Sequence, residues 1–137
     1  FFNVYGVGQD PSSPYSGVIS IFTASVKSGR GLRLNGGGEQ TRDFVSVLDI
    51  AKACKCALDV PEDLCDGRAI NLGTGRSVTI RELAQVLIQI SGKTVSLENT
   101  PSRSGDVMFS TADNRRAKEI LNWEPTVSLE NGLADMA

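Results

Sequence analysis

Three consecutive glycines, Gly36, Gly37 and Gly38, sit between a short apolar alternation and the run Glu39-Gln40-Thr41-Arg42-Asp43-Phe44. No side chain in the triplet restricts the backbone, so it forces a turn and ends any helix or strand that reaches it. The chain must therefore be built from short elements on either side. Upstream, Leu32 and Leu34 alternate with Arg33 as in a half-buried strand, and downstream Phe44 and Val45 open a second apolar segment.

The same punctuation recurs along the chain. Phe1, Phe2, Asn3, Val4 and Tyr5 read as the buried end of a strand before a turn at Gly6 and Gly8. The run has no initiating Met and no cap, as though cut in mid-element. Val18, Ile21, Phe22 and Val26 recur at helical spacing, with Ser16 as the candidate cap and Gly29 as the stop. Asp49 is placed to cap a helix carrying Ile50, Ala53, Cys54, Ala57 and Leu58 on one side, and Ala69 to Leu72 reads as a strand.

Thr79 followed by Glu82 is a capping box, with Val78 and Leu83 as its hydrophobic staple. The helix it starts should bury Ile80, Leu83, Ala84, Leu87 and Ile88 and stop before Gly92. Val95 and Leu97 suggest a strand, and Pro101 to Asp106 a loop. Two short helices follow, one capped by Asp113 with Ala117, Ile120 and Leu121, the other by Ser128 with Leu129, Leu133 and Met136. Helices and short strands alternate without a long βαβ series. The expected fold is a small mixed α/β domain spanning residues 1–137, without a complete doubly wound sheet.

At 137 residues with 40% hydrophobic content the chain can bury a modest single core. Its 14 Lys and Arg against 16 Asp and Glu give a net charge of −2, with no broad positive field for nucleic acid or an anionic membrane. Any bound phosphate has to be held by a few placed cations. Cys54, Cys56 and Cys65 are odd in number and read as free thiols in a reducing compartment; with no histidine and no fourth soft ligand, no metal site is expected. No apolar run is long enough to span a bilayer, and the start lacks the basic residues of a signal peptide, so a cytoplasmic protein is expected.

The candidate chemistry lies in loops. Arg42 follows the glycine turn and precedes an apolar strand, which puts its guanidinium fork at the rim of the core. Two uses are open to it: paired hydrogen bonds to phosphate oxygens, or an ion pair with Glu39 or Asp43 that pins the turn. Arg103, between Pro101 and Gly105, has the same two uses, with Asp106 to orient or neutralise it. Gly73-Thr74-Gly75 looks like a phosphate cradle but lacks the Lys-Ser or Lys-Thr of a P-loop, and reads as a tight connection into the helix at Thr79. Asn3 and Asn71 are polar groups at strand ends. No catalytic residue is expected: without histidine there is no Ser-His-Asp or Cys-His arrangement, and no Tyr-x-x-x-Lys pair occurs. Tyr5 reads as an edge aromatic and Tyr15 as a loop anchor.

In order, the motifs Phe2-Asn3-Val4-Tyr5-Gly6, Gln9-Asp10-Pro11, Tyr15-Ser16-Gly17-Val18-Ile19, Gly36 through Val45, Asn71-Leu72-Gly73-Thr74-Gly75, Arg103-Ser104-Gly105-Asp106-Val107 and Leu121-Asn122-Trp123-Glu124-Pro125 cover nearly the whole chain. Together they resemble the C-terminal, substrate-binding portion of the NAD-dependent epimerase/dehydratase family, the extended short-chain dehydrogenases, nearest the UDP-glucose and UDP-N-acetylglucosamine 4-epimerases.

The resemblance implies a parent enzyme, a homodimer, whose N-terminal Rossmann domain holds NAD and a Tyr-x-x-x-Lys pair, both missing here. It implies that Asn3, Arg42 and Arg103 contact the diphosphate of a UDP-sugar, with Asp106 beside Arg103. Gly17, Val18, Leu32, Leu34 and Asn35 would bracket the uracil, and Phe1 and Phe2 would approach the nicotinamide. The implied reaction moves a hydride from sugar C4 to NAD and back to the other face of a rotated 4-keto sugar, so the fragment alone is expected to be inactive. A 4,6-dehydratase or decarboxylase portion, and a non-catalytic nucleotide-binding fragment, are the alternative readings.

Overall fold

The computed structural model describes residues 1–13, 17–64 and 66–136. Among the described residues six short strands and five α-helices follow in the order β1 (Asn3–Tyr5), α1 (Val18–Lys27), β2 (Leu32–Asn35), β3 (Thr41–Arg42), β4 (Phe44–Ser46), α2 (Val47–Leu58), β5 (Val78–Thr79), α3 (Ile80–Ser91), β6 (Leu97–Thr100), α4 (Arg115–Leu121) and α5 (Leu129–Ala134). The strands form three two-stranded ladders, β1 with β4 and β2 with β6 parallel, β3 with β5 antiparallel. This is the mixed α/β architecture expected, with no doubly wound sheet among the described residues.

The β1–β4 ribbon divides the interior. Side chains alternate across a strand, so Tyr5 and Phe44 join one cluster with Ile19, Phe22, Leu32, Leu34, Leu83 and Leu133. Val4 and Val45 face a second cluster with Ile50, Ala53, Leu72, Ala117, Leu121 and Trp123. Tyr5 is thus a core residue at 3% exposure, not an edge aromatic. Burial first, then the Asp49, Glu130 and Asp135 carboxylates, push its hydroxyl pKa up to about 12.

The best local signal is realised in full. Thr79 Oγ1 accepts the Glu82 N–H at 3.0 Å, Glu82 Oε2 accepts the Thr79 N–H at 2.8 Å, and Gly92 ends α3 in the left-handed region. Ser128 caps α5 by accepting the Asn131 N–H.

Other local expectations are overridden. The cap of α2 is Ser46, whose hydroxyl accepts the Leu48 N–H at 3.2 Å, because β4 runs straight into the helix. Asp49 lies inside the first turn, fully buried, where it accepts the Thr126 and Val127 N–H groups and the Thr126 hydroxyl. The buried face of α2 is Asp49, Ile50 and Ala53, while Cys54, Ala57 and Leu58 are exposed. Residues 69–72 form no ladder; Leu72 O takes a single N–H, from Phe2. The cap position of α4 is Asn114, although Asp113 Oδ1 still accepts the Arg115 N–H. The expected cap Ser16, the anchor Tyr15 and Cys65 lie outside the described residues.

Candidate functional site

A groove of about 690 Å³ opens between α1, the β2–β6 ladder and the segment after β6. It brings together Asn3, Val18, Leu32, Asn35, Arg42, Arg103 and Asp106 from the expected set, along with Ile21, Phe22, Gln40 and Thr100, which were not expected as site residues. Gly17 is exposed just ahead of α1, and Leu34 is fully buried in the first core, so its side chain faces away. Phe1, 74% exposed, and half-buried Phe2 lie outside the groove lining.

The glycine turn is used as the sequence requires. Gly36, Gly37 and Gly38 have φ values of 57, 75 and 78°, and a Cβ on Gly38 would stand 3.0 Å from the Arg81 backbone nitrogen. The chain then enters β3 with Arg42 half-buried at the groove. Arg42 Nη1 donates to Thr41 O at 2.8 Å and Val107 O at 2.5 Å, and Nη2 donates to Asp106 Oδ1 at 2.5 Å. Three of the five guanidinium donors are committed, which fixes the plane of the fork and leaves two for a ligand.

The expected partners of Arg42 are engaged elsewhere. Glu39 pairs with Arg81, and Asp43 points to the opposite side of the strand. Asp106 was expected beside Arg103, but its carboxylate goes to Arg42 and accepts from Gln40 Nε2 at 3.3 Å; only its backbone N–H meets Arg103, at the carbonyl. The loop reaches Arg42 because residues 106–108 lie along β3, with the Thr41 N–H donating to Met108 O at 2.8 Å. Arg103 is exposed and forms no ion pair among the described residues. Of the three arginines that line the groove, Arg42 is therefore fixed by Asp106, Arg33 is paired with Glu98, and Arg103 has no ion pair among the described residues.

Asp43 explains the second glycine motif. Its buried carboxylate accepts the Thr74 N–H at 2.8 Å, the Thr74 hydroxyl at 2.7 Å, the Gly75 N–H at 2.9 Å and the Ala112 N–H at 3.0 Å. The 73–75 turn cradles this carboxylate instead of a phosphate. Gly73 has no room for a side chain, since a Cβ would stand 2.5 Å from that of Ala112. On the groove side Asn3 Nδ2 donates to the Asp43 carbonyl at 3.0 Å, tying β1 to the same corner.

A groove lined by three arginines, two asparagines, the carboxylate that orients Arg42 and apolar residues of α1 suits an amphiphilic anion such as a nucleoside diphosphate. Residues 1–73 match the NAD dependent epimerase/dehydratase family, and the chain belongs to that family. The UDP-glucose 4-epimerase of Mycolicibacterium smegmatis is 38% identical to it, over 96% of this chain and 41% of that protein. The dTDP-L-rhamnose 4-epimerase of Burkholderia thailandensis is 31% identical, over 98% of this chain and 36% of that protein. The crystal structure of the Thermotoga maritima UDP-glucose 4-epimerase with UDP-glucose superposes with a TM-score of 0.90 at 40% identity, covering 98% of this chain and 42% of that one. The chain thus spans less than half the length of the relatives it matches.

The residues present do not fit the cofactor of that family. The sequence has no glycine-rich dinucleotide fingerprint, the Gly36–Gly38 turn leads into a strand, and the Thr74 and Gly75 N–H groups are taken by Asp43. Among the described residues no group of three or more His, Cys, Asp or Glu is placed to hold a metal, and no helix is long and apolar enough to cross a membrane.

Proposed function

We propose that these residues are the substrate-holding portion of a nucleotide-sugar 4-epimerase acting on a UDP-hexose or UDP-N-acetylhexosamine. NAD and the Tyr–Lys pair that exchanges the hydroxyl proton belong, in this reading, to a Rossmann portion outside residues 1–137, whose nicotinamide Phe1 and Phe2 would approach. The observation that carries the reading is the convergence of Asn3, Arg42 and Arg103 on a groove that apolar residues of α1 also line.

The division of labour follows from the chemistry present. Arg42, held by Asp106 and two backbone carbonyls, offers a fork already oriented for an oxyanion, so little ordering is lost on binding. Arg103, exposed and without an ion pair among the described residues, adds a second cation for the diphosphate. Anchoring the substrate by its diphosphate fixes its position while leaving the hexose free to turn, as a 4-epimerase requires. These side chains contribute affinity and placement, and none of them transfers a proton to the sugar.

The test is UDP binding by calorimetry. Replacing Arg42 by Ala should weaken binding by roughly 2–5 kcal/mol, the range for breaking a desolvated charged contact. Unchanged affinity in a variant with the wild-type circular dichroism spectrum would sink the assignment. In a longer protein that carries this segment, interconversion of UDP-glucose and UDP-galactose followed by NMR should fall with the same substitution.

A further inference from the structure

We propose that Gln40 is a positioning residue for Arg42: its side-chain amide anchors the Asp106 carboxylate, and through that carboxylate it sets the plane of the guanidinium before a ligand arrives. The inference rests on the nucleoside-diphosphate reading of the groove and adds to it the group that keeps its fixed cation in place.

Arg42 cannot orient itself. Besides the carbonyl of its neighbour Thr41, the acceptors that hold it are Asp106 Oδ1 and Val107 O, both on one short segment. A segment tied down by Arg42 alone would move with the arginine and fix nothing. Among the described residues, the hydrogen bonds that join 106–108 to β3 and the turn before it come from three consecutive positions, Gln40, Thr41 and Arg42. The Thr41 contribution is a backbone N–H, and it meets Met108 O, two residues beyond the carboxylate. Gln40 is therefore the one side chain other than Arg42 that grips Asp106 among the described residues.

Gln40 is itself held firmly. It is 8% exposed, the only buried polar residue among the described residues that lines the groove, and its carbonyl accepts the N–H of Ile80, the first residue of α3, at 3.1 Å. An ionised carboxylate can only accept, so the amide turns its nitrogen to it, with Nε2 3.3 Å from Oδ2 while Arg42 Nη2 takes Oδ1 at 2.5 Å. One oxygen for each donor stops the carboxylate from rotating. The amide brings no charge of its own, so the negative charge of Asp106 stays matched to Arg42. Arg103 is drawn into the same arrangement: the Asp106 N–H donates to Arg103 O at 3.2 Å and closes the turn through Gly105, so the segment that carries the second cation is placed from Asp106 as well.

The experiment reads Arg42 and nucleotide binding separately. In proton–nitrogen correlation spectra of the unliganded protein, rotation of the Arg42 guanidinium about Nε–Cζ should be slow in wild type and about fivefold faster in Gln40→Met, which removes one net hydrogen bond from the chain of contacts. UDP affinity by calorimetry should fall by about the same factor of five. In an Asp106→Ala background the same substitution should change UDP affinity by less than about twofold, because the group it acts through is gone. Gln40→Glu keeps the side-chain volume, loses the donor, and is read in the same way should Gln40→Met fail to fold.

An unchanged UDP affinity or an unaltered Arg42 spectrum in a folded Gln40 variant overturns the inference. So does an equal loss of affinity with and without Asp106, which would mean that Gln40 touches the nucleotide directly. If Arg42→Ala still weakens UDP binding in either case, the diphosphate reading survives alone. If wild type does not bind UDP, both fall together.

Discussion

Arg42 and Asp43 stand side by side at the junction of β3 and β4, and strand alternation sends their side chains into two regions with opposite properties. Arg42 enters the groove, where its partner Asp106 retains 25% side-chain exposure. Asp43 enters the interior and is completely buried beneath the 73–75 turn and Ala112. Three of the four donors on Asp43 are backbone N–H groups, which cannot move away without breaking the fold. Arg42 keeps two donors uncommitted and touches water, so it can take up a ligand oxygen without unmaking the protein. Charge does not separate the two residues; the number of fixed partners and the access of solvent do.

The sharpest way to break the comparison is to remove the buried carboxylate. Asp43→Ala should cost about 3–5 kcal/mol in urea unfolding, since several buried N–H groups are left without acceptors. A loss below about 1 kcal/mol would show that the turn relaxes to find water and that the interior region is no more demanding than the groove.

Protonation is a gentler version of the same cut, and Asp49 provides it. Burial raises the pKa of this carboxyl, but the Val127 and Thr126 hydrogen bonds and the Lys52 charge outweigh it and hold the group below its ordinary 3.8. The folded state therefore binds this proton less readily than the unfolded chain. The stabilisation it brings is fully present above pH 3.8 and is lost as pH falls from there through the lowered folded value. Asp49→Asn should flatten that part of the acid-unfolding curve, and an unaltered slope would contradict the assignment. The effect should be smaller than deleting the Asp43 carboxylate, because a protonated carboxyl still accepts hydrogen bonds.

On the groove side the expected stability effects shrink while the binding effects grow. Arg42→Ala should lower stability by only about 1–2 kcal/mol, through the half-buried pair with Asp106. Arg103→Ala should change stability by less than about 0.5 kcal/mol, as expected for an exposed side chain without an ion pair. Its UDP affinity should nevertheless drop, and the drop should fade at high salt. A destabilisation by Arg103→Ala as large as that by Asp43→Ala, measured in the same urea titration, would erase the distinction between the two regions.

How much of this was legible in advance depended on how far apart the interacting groups lie. The Thr79–Glu82 box, the Ser128 cap and the stop at Gly92 involve residues three or four apart or a single backbone angle, and each formed as read. The turn at Gly36–Gly38 and the strand at Leu32 were equally plain. Asp49 looked like a cap by the same local logic, yet its donors are Thr126 and Val127, and a strand-borne serine took the cap. The apolar stripe through Cys54 and Leu58 was misplaced because α2 turns Ile50 and Ala53 to the β1–β4 ribbon and α4, leaving Leu58 86% exposed.

In the candidate site the same rule holds. The residue types and the order of motifs pointed to Arg42, Arg103, Asn3 and Asp106, and to a family. The partner of Arg42 was sought at Glu39 and Asp43, within three residues, and lies 64 positions away. Gln40 carried no signal beyond membership of the Gly36–Val45 motif, and Thr100 none beyond its place before Pro101. The chain alone determined where elements start and stop and which residue types were available for an anion, because propensity, capping and glycine geometry act over a few residues. Which carboxylate meets which cation, and which carboxylate fills the Gly73–Gly75 turn, was decided only by the tertiary structure: such pairings depend on parallel ladders and loops that bring remote residues within 3 Å and exclude water from some of them but not others.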